Sequence, residues 1–234
     1  MKAAVLREVG KPLTIEDVQI SKPGPNEVLI RTAAAGVCHS DLHFIEGSYP
    51  AQMPVVLGHE SAGIVEQVGS EVRTCAPGDH VITCLSAFCG HCEHCLTGHM
   101  SRCQSPETKR QAGEQPRLSQ NGGTMNQFIN LSSFAEQMLI HEHACVAIRK
   151  DMPLDRAALI GCSVMTGVGA AIHTSSVRPG ETVAVIGCGG VGLAAINGAA
   201  IAGAGRIIAI DMVASKGNLA HQFGATDFID ASQT

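Results

Sequence analysis

Cys89, Cys92, Cys95 and Cys103 are separated by two, two and seven residues. Four thiolates at these spacings can close a tetrahedron around one zinc, with Zn–S bonds of about 2.3 Å, and leave no coordination position open. A site of that kind is structural. An iron–sulfur cluster or a redox pair is the competing chemistry, but the bacterial cluster run places its fourth cysteine three residues on with a proline after it. Here Gln104 follows Cys103. His91, His94 and His99 lie close enough to substitute as ligands, although the four-cysteine set is complete without them.

A second constellation is dispersed: Cys38-His39-Ser40-Asp41-Leu42-His43, then Gly58-His59-Glu60, then Gly161-Cys162. Taken singly these are ordinary residues, since an isolated cysteine is often a small buried hydrophobe. Taken together they offer two thiolates and one imidazole, a three-ligand set that leaves a fourth zinc position for water or substrate. A third constellation is Gly187-Cys188-Gly189-Gly190-Val191-Gly192, which follows the run TVAVI and opens a stretch rich in glycine and alanine. Asp211 ends the next apolar run, nineteen residues beyond Gly192. This is the pattern of a dinucleotide site: glycines allow close approach of a pyrophosphate to a helix amino end, and the carboxylate accepts bonds from ribose hydroxyls. A carboxylate there repels a 2′-phosphate, which favours NAD over NADP.

Two kinds of framework must position these groups. Up to about residue 148 the runs KAAVLREV, LTIEDVQI, EVLIRTAAAGV, SAGIVEQVG, GDHVITC and AEQMLIHEHACVAI read as strands, with KPGPNE and CAPGDH as turns. That half predicts an antiparallel β domain. Residues 154–174 read as helical with glycine interruptions, followed by a turn at Arg178-Pro179-Gly180. Strand 182–187, helix 190–203, strand 206–211, helix 215–223 and strand 226–230 then predict βαβ units and a parallel sheet. Residues 104–125 are polar and rich in Gly, Pro and Gln, and are expected to form a long surface loop.

Composition narrows the function classes. The chain has 234 residues, 45% of them hydrophobic and 16% charged, with a net charge of −5. Disorder is excluded over most of the length, and the acidic balance with no Trp and one Tyr argues against nucleic acid. Residues 182–205 are uncharged but carry seven glycines and Asn197, so no transmembrane helix is expected there. MKAAVLREVG lacks the apolar core of a secretory signal, and ten cysteines fall below the roughly 8–10% of disulfide scaffolds. A reducing, cytoplasmic setting is expected, in which clustered cysteines are metal or redox groups. Cys75, Cys84, Cys145 and Cys188 fall in no pattern.

With GVCHSDLH, GHE, the Cys89–Cys103 group, the isolated Cys162 and GCGGVG with Asp211 in this order, the sequence resembles the zinc-dependent medium-chain alcohol dehydrogenases along its whole length. The resemblance implies a mixed fold: a GroES-like β-rich catalytic domain over residues 1–152, then the first half of a Rossmann dinucleotide-binding domain over residues 153–234. It implies two zincs, one held by Cys38, His59 and Cys162 and one by Cys89, Cys92, Cys95 and Cys103. Asp41 and Glu60 take positions behind the catalytic metal, and Ser40 and His43 those of a proton relay. His39 stands beside the cofactor pyrophosphate and Lys216 near the adenosine ribose. The implied reaction is oxidation of an alcohol to an aldehyde or ketone with hydride transfer to NAD.

The long 104–125 segment resembles the longer liver-type and thiol-adduct formaldehyde-oxidising branches more than the short-loop tetrameric ones, which adds oxidation of a formaldehyde–thiol adduct as a second enzymatic reading. Only one βαβαβ half precedes Gln233-Thr234, so weak NAD binding by this chain is expected, and a non-catalytic zinc-stabilised nucleotide-binding module is a third reading. The expected partners are a small alcohol or aldehyde, with no nucleic acid and no membrane, and a homo-oligomer in a full-length form.

Overall fold

A computed structural model describes residues 1–111 and 113–233; Ala112, in the expected long loop, and Thr234, at the expected interruption of the second domain, lie outside the described residues. The chain divides into two compact units, Met1–Gly161 and the residues from Cys162 on.

The first unit is built from strands β1 (Lys2–Leu6), β2 (Thr14–Asp17), β3 (Gln19–Ile20), β4 (Glu27–Gly36), β5 (Val55–Val56), β6 (Glu60–Val68), β7 (His80–Thr83), β8 (Leu118–Gln120), β9 (Gly123–Thr124), β10 (Asn126–Gln127), β11 (Gln137–His141) and β12 (Cys145–Ile148). Its largest sheet has the order β11-β4-β6-β7-β12 and is antiparallel throughout. Two smaller sheets run β10-β5-β1-β2 and β3-β8-β9. Val28, Ile30, Val65, Val81, Met138 and Ile140 are buried together under the large sheet. Each side chain of this size contributes roughly 1.5–3 kcal/mol when removed from water.

The β4–β6 ladder places the first functional corner. It runs from Val28 opposite Val68 to Gly36 opposite Glu60, with irregularities after Leu29 and after Thr32. Cys38 leaves one end of this ladder and His59 enters it at the same end. After Cys38 the chain winds into the helix His39–Ile45, an element absent from the strand pattern of this half.

Two expectations for this unit are corrected. The run AEQMLIHEHACVAI is two strands, because a 3-10 turn at Glu142–Ala144 separates β11 from β12 and they occupy opposite edges of the sheet. Residues 104–125 are only partly loop. They contain a 3-10 turn, Pro106–Thr108, and the β8–β9 pair. Glu27 accounts for much of this order, since its carboxylate accepts from Arg117 Nε at 2.6 Å and from Arg110 Nη2 at 2.6 Å.

The second unit follows the expected alternation. Strands β13 (Thr182–Ile186), β14 (Arg206–Asp211) and β15 (Asp227–Asp230) form a parallel sheet in that order. The helices Gly190–Ile201 and Lys216–Gln222 connect them. Leu193, Ile196, Ile207, Ala209 and Ala220 fill the space between sheet and helices. This is the half-Rossmann arrangement expected from the sequence. Residues 154–174 are helical, with π turns at Ile160–Val164 and Ala170–Thr174. Among the described residues this is the one helix long and apolar enough to cross a bilayer by length and composition.

Candidate metal centres and nucleotide loop

The four-cysteine segment folds back on itself through two glycines. Gly90 has φ +88° and Gly98 has φ +80°, backbone that costs other L-residues energy. The turns bring all four sulfurs within 4.8 Å of one another. Sγ–Sγ separations are 3.9 Å for Cys89–Cys95, 3.5 Å for Cys92–Cys95 and 3.9 Å for Cys92–Cys103. A tetrahedron with the Zn–S bond length has edges of about 3.8 Å. The donor set therefore fits zinc.

Backbone N–H groups also point at the sulfurs: Cys92 N–H donates to Cys89 Sγ and Cys89 N–H to Cys103 Sγ, each at 3.3 Å. Bonds of this kind favour thiolate, led at Cys89 by the His91 N–H, and hold the Cys89 thiol down to about 6. Cys95 is pushed up to about 11, by loss of hydration first and then by the neighbouring sulfurs. A second anion in this cluster needs a cation.

The other corner is buried. Asp41, His59 and Glu60 are each 2% exposed or less. Asp41 is the third residue of its helix, and its carboxylate turns back to accept from Cys38 N–H at 3.0 Å. It also accepts from Gly58 N–H at 3.2 Å and pairs with His59 Nδ1 at 3.1 Å. Binding Nδ1 in this way fixes the ring orientation and, in a neutral ring, leaves Nε2 as the nitrogen that carries a lone pair, the tautomer a metal ligand needs. Burial alone would depress the His59 pKa, but the bond to Asp41 and its negative charge raise it above the ordinary value.

The Cys38 sulfur, a His59 ring nitrogen and a Glu60 carboxylate oxygen lie within 4.8 Å of one another. These donors also fit zinc. Two glycines make the geometry possible. A Cβ at Gly36 would lie 2.4 Å from Glu60 Oε2, and one at Gly58 would lie 2.5 Å from Ser133 Oγ, at a φ of +93°. Gly161 packs as tightly: a Cβ there would sit 1.9 Å from the Thr83 carbonyl oxygen. Cys162 is the next residue and begins the second unit.

Ser40 and His43 are one turn apart on the helix His39–Ile45, both half-buried. The His43 ring lies 4.7 Å from that of exposed His39 and 5.4 Å from that of Tyr49. Its Nδ1 is buried without a protein partner among the described residues.

In the second unit the glycine loop joins β13 to the helix Gly190–Ile201, with Gly189 as the helix cap. Gly187 has φ +94°, and a Cβ at Gly192 would lie 1.8 Å from the Gly187 oxygen. The first turn holds Gly190, Val191 and Gly192, carries no acidic residue and has no side-chain cap. Its N–H groups are thus available to an anion.

Asp211 organises this loop. Its Oδ2 accepts from Cys188 N–H at 2.7 Å and from Lys216 Nζ at 3.0 Å, and its Oδ1 from Val213 N–H at 2.9 Å. The Cys188 N–H and then Lys216 hold its pKa down to about 2. Lys216, assigned to the ribose by resemblance, is salt-bridged to the carboxylate with the same assignment.

Sequence reasoning quoted Gly36, Gly58 and Gly161 within its motifs but gave them no structural role. The available signal was a glycine within two residues of each candidate ligand, where close backbone approach is a standard meaning.

Residues 24–150 match the family described as Alcohol dehydrogenase GroES-like domain. The S-(hydroxymethyl)glutathione dehydrogenase of Saccharomyces cerevisiae is 42% identical over 99% of this chain and 61% of its own length. An alcohol dehydrogenase zinc-binding domain protein from Burkholderia ambifaria superposes with a TM-score of 0.92 at 40% identity, over 100% of this chain and 64% of its own. Benzyl alcohol dehydrogenase from Acinetobacter calcoaceticus gives a TM-score of 0.90 at 35% identity, again over 100% and 64%. The chain thus spans a little over 60% of the length of these relatives.

Proposed function

Since the chain belongs to the zinc-dependent medium-chain alcohol dehydrogenase family, we propose that it carries the metal- and nucleotide-binding portion of an enzyme that oxidises an alcohol to an aldehyde or ketone with NAD. The supporting observation is the buried corner in which Asp41 holds His59 by Nδ1 with a ring nitrogen close to the Cys38 sulfur. Cys38, His59 and Cys162 would hold a catalytic zinc, and Cys89, Cys92, Cys95 and Cys103 a structural one.

Zinc supplies Lewis acidity that makes a bound alcohol a readier proton donor, and NAD supplies the hydride acceptor. The chain's own residues do the rest. Asp41 fixes the His59 tautomer and ring orientation. Ser40 would accept the hydroxyl proton while passing on its own, and the imidazole of His43 would carry a proton toward solvent; Nδ1 of that ring has no protein partner among the described residues. Glu60 places a buried carboxylate among the ligands and tunes their charge.

Gly187, Gly189, Gly190, Val191 and Gly192 would hold a pyrophosphate through backbone N–H groups, with His39 assigned to the same group by the family resemblance. Asp211 and Lys216 would take the adenosine ribose. Three of the four lone-pair positions on the Asp211 carboxylate are already filled, so one position on Oδ1 remains for a hydroxyl. The same reading makes the protein soluble and cytoplasmic, with a homo-oligomeric full-length form.

Metal analysis tests the reading. Two zincs per chain falling to one in Cys38→Ala, with an unchanged circular dichroism spectrum, is the expected result. One zinc in both proteins would leave a nucleotide-binding module stabilised by the four-cysteine site. The yeast relative's name favours one variant of the reaction, oxidation of a hydroxymethyl–thiol adduct. Formaldehyde turnover that requires a low-molecular-weight thiol would establish that variant, and thiol-independent turnover of primary alcohols the parent reaction.

A further inference from the structure

Cys75 and Cys145 belong to neither metal set and are far apart in sequence, yet the fold brings them together. Cys145 opens β12 and is buried in the main core, and Cys75 is packed against the same cluster. Glu142 draws the two segments to each other. Its carboxylate accepts from Arg73 N–H at 2.9 Å and from Thr74 N–H at 3.2 Å, which holds the segment running into Cys75. Its carbonyl oxygen accepts from Cys145 Sγ at 3.4 Å. Both side chains pack in the same core cluster, and each thiol is the leading influence on the other's acidity.

The pair is chemically unequal. The neighbouring Cys145 is the first of the influences that lower the Cys75 pKa, with burial opposing and Thr74 adding to it. Cys145 is raised far above an ordinary thiol by the neighbouring Cys75 and by burial. Cys75 is also the more exposed of the two. One partner is therefore suited to meet an oxidant and the other to follow it.

We propose that Cys75 and Cys145 form a reversible redox site, oxidised to a disulfide by hydroperoxides while the zinc-type cysteines keep their ligand role. The Cys75 thiolate attacks the outer peroxide oxygen; an S–O bond forms, the O–O bond breaks, and the departing hydroxide leaves as water after taking a proton. Cys75 is now a sulfenic acid, oxidised by two electrons. The Cys145 sulfur then attacks the Cys75 sulfur; the S–S bond forms, the S–O bond breaks, and the leaving hydroxide takes the Cys145 proton. Two thiols and one hydroperoxide give one disulfide and two waters when the oxidant is hydrogen peroxide. A dithiol reverses it. The bond closes a loop that contains the whole four-cysteine lobe, which restricts the unfolded chain.

The experiment uses the zinc-loaded protein treated with hydrogen peroxide, alkylated and digested without reductant. Recovery of a Cys75–Cys145 linked peptide two mass units below the sum of its parts, lost on dithiothreitol treatment, is expected. In Cys145→Ser the disulfide cannot close, and dimedone should label Cys75. In Cys75→Ser, Cys145 should stay fully alkylatable after the same exposure. Quantitative alkylation of both cysteines in the wild type, once peroxide has oxidised other thiols, would overturn the proposal. So would linkage of either cysteine predominantly to Cys84 or Cys89. The site stands independently of the dehydrogenase reading, since none of these readouts involves turnover.

Discussion

The four-cysteine lobe and the Cys38–His59 corner present similar donors, but opposite structural economies. The lobe draws all its ligands from one short segment whose helix, Glu93–Leu96, has no buried residue. Leu96 and Met100 point to solvent. Almost nothing apolar holds the lobe in shape, so a metal there is a source of folding energy. The corner draws Cys38 and His59 from two sides of a long ladder with a full core beneath, and Asp41 positions His59 with no metal needed. A metal there is a guest in a prepared place.

The sharpest way to break this contrast is to remove one sulfur from the lobe. Apparent zinc-binding energies in small finger peptides run to about 10–16 kcal/mol and equal folding energy there. Cys92→Ala should therefore open the lobe, giving rapid proteolysis between residues 89 and 103 and a lower melting temperature. An unchanged melting temperature and protease pattern would make the lobe as self-supporting as the corner.

A smaller effect is expected from Asp41→Asn. The amide loses the charge that pairs with His59 and can present N–H where Cys38 and Gly58 already donate. Changes behind metal ligands typically weaken affinity 10–100-fold. Competition with a chromogenic chelator should then show one zinc released that much more easily and the other unchanged. Equal weakening of both would erase the distinction between the two sites.

The smallest effect concerns pH, away from either metal. Glu27 has its pKa lowered below 4.5: burial opposes ionisation but is outweighed by the bonds from Arg110, the Gly24 N–H and Arg117. A carboxylate with a depressed folded pKa stabilises the fold above its unfolded value and loses that contribution as pH falls through the folded one. The 104–125 segment should accordingly loosen below about pH 4.5, seen as faster amide exchange there in mild acid. Glu27→Gln should remove the dependence.

The strand–helix alternation of the second unit was legible in the sequence because its signals are local: β-branched runs, a glycine loop and a closing aspartate recur within a few dozen residues. The first unit was less so, for identifiable reasons. AEQMLIHEHACVAI keeps its strand character through Glu142, and the break falls where that carboxylate accepts from the backbone N–H groups of Arg73 and Thr74. The 104–125 segment looked unstructured because its arginines find their partner 83 and 90 residues away. His59 could be named as a ligand from its neighbours in the chain, but the reason it is aimed correctly lies in Asp41 and in two missing Cβ atoms. Cys75 and Cys145 carried no pattern at all; only the Glu142 clasp pairs them.

The Asp211 carboxylate has one more implication. It grips the glycine loop at Cys188 and the following turn at Val213 before any nucleotide arrives, so the entropy lost in shaping that loop is charged to folding and not to association. On the proposed reading a dinucleotide would meet a rigid receptor, and substitution at Asp211 should slow capture as well as hasten release.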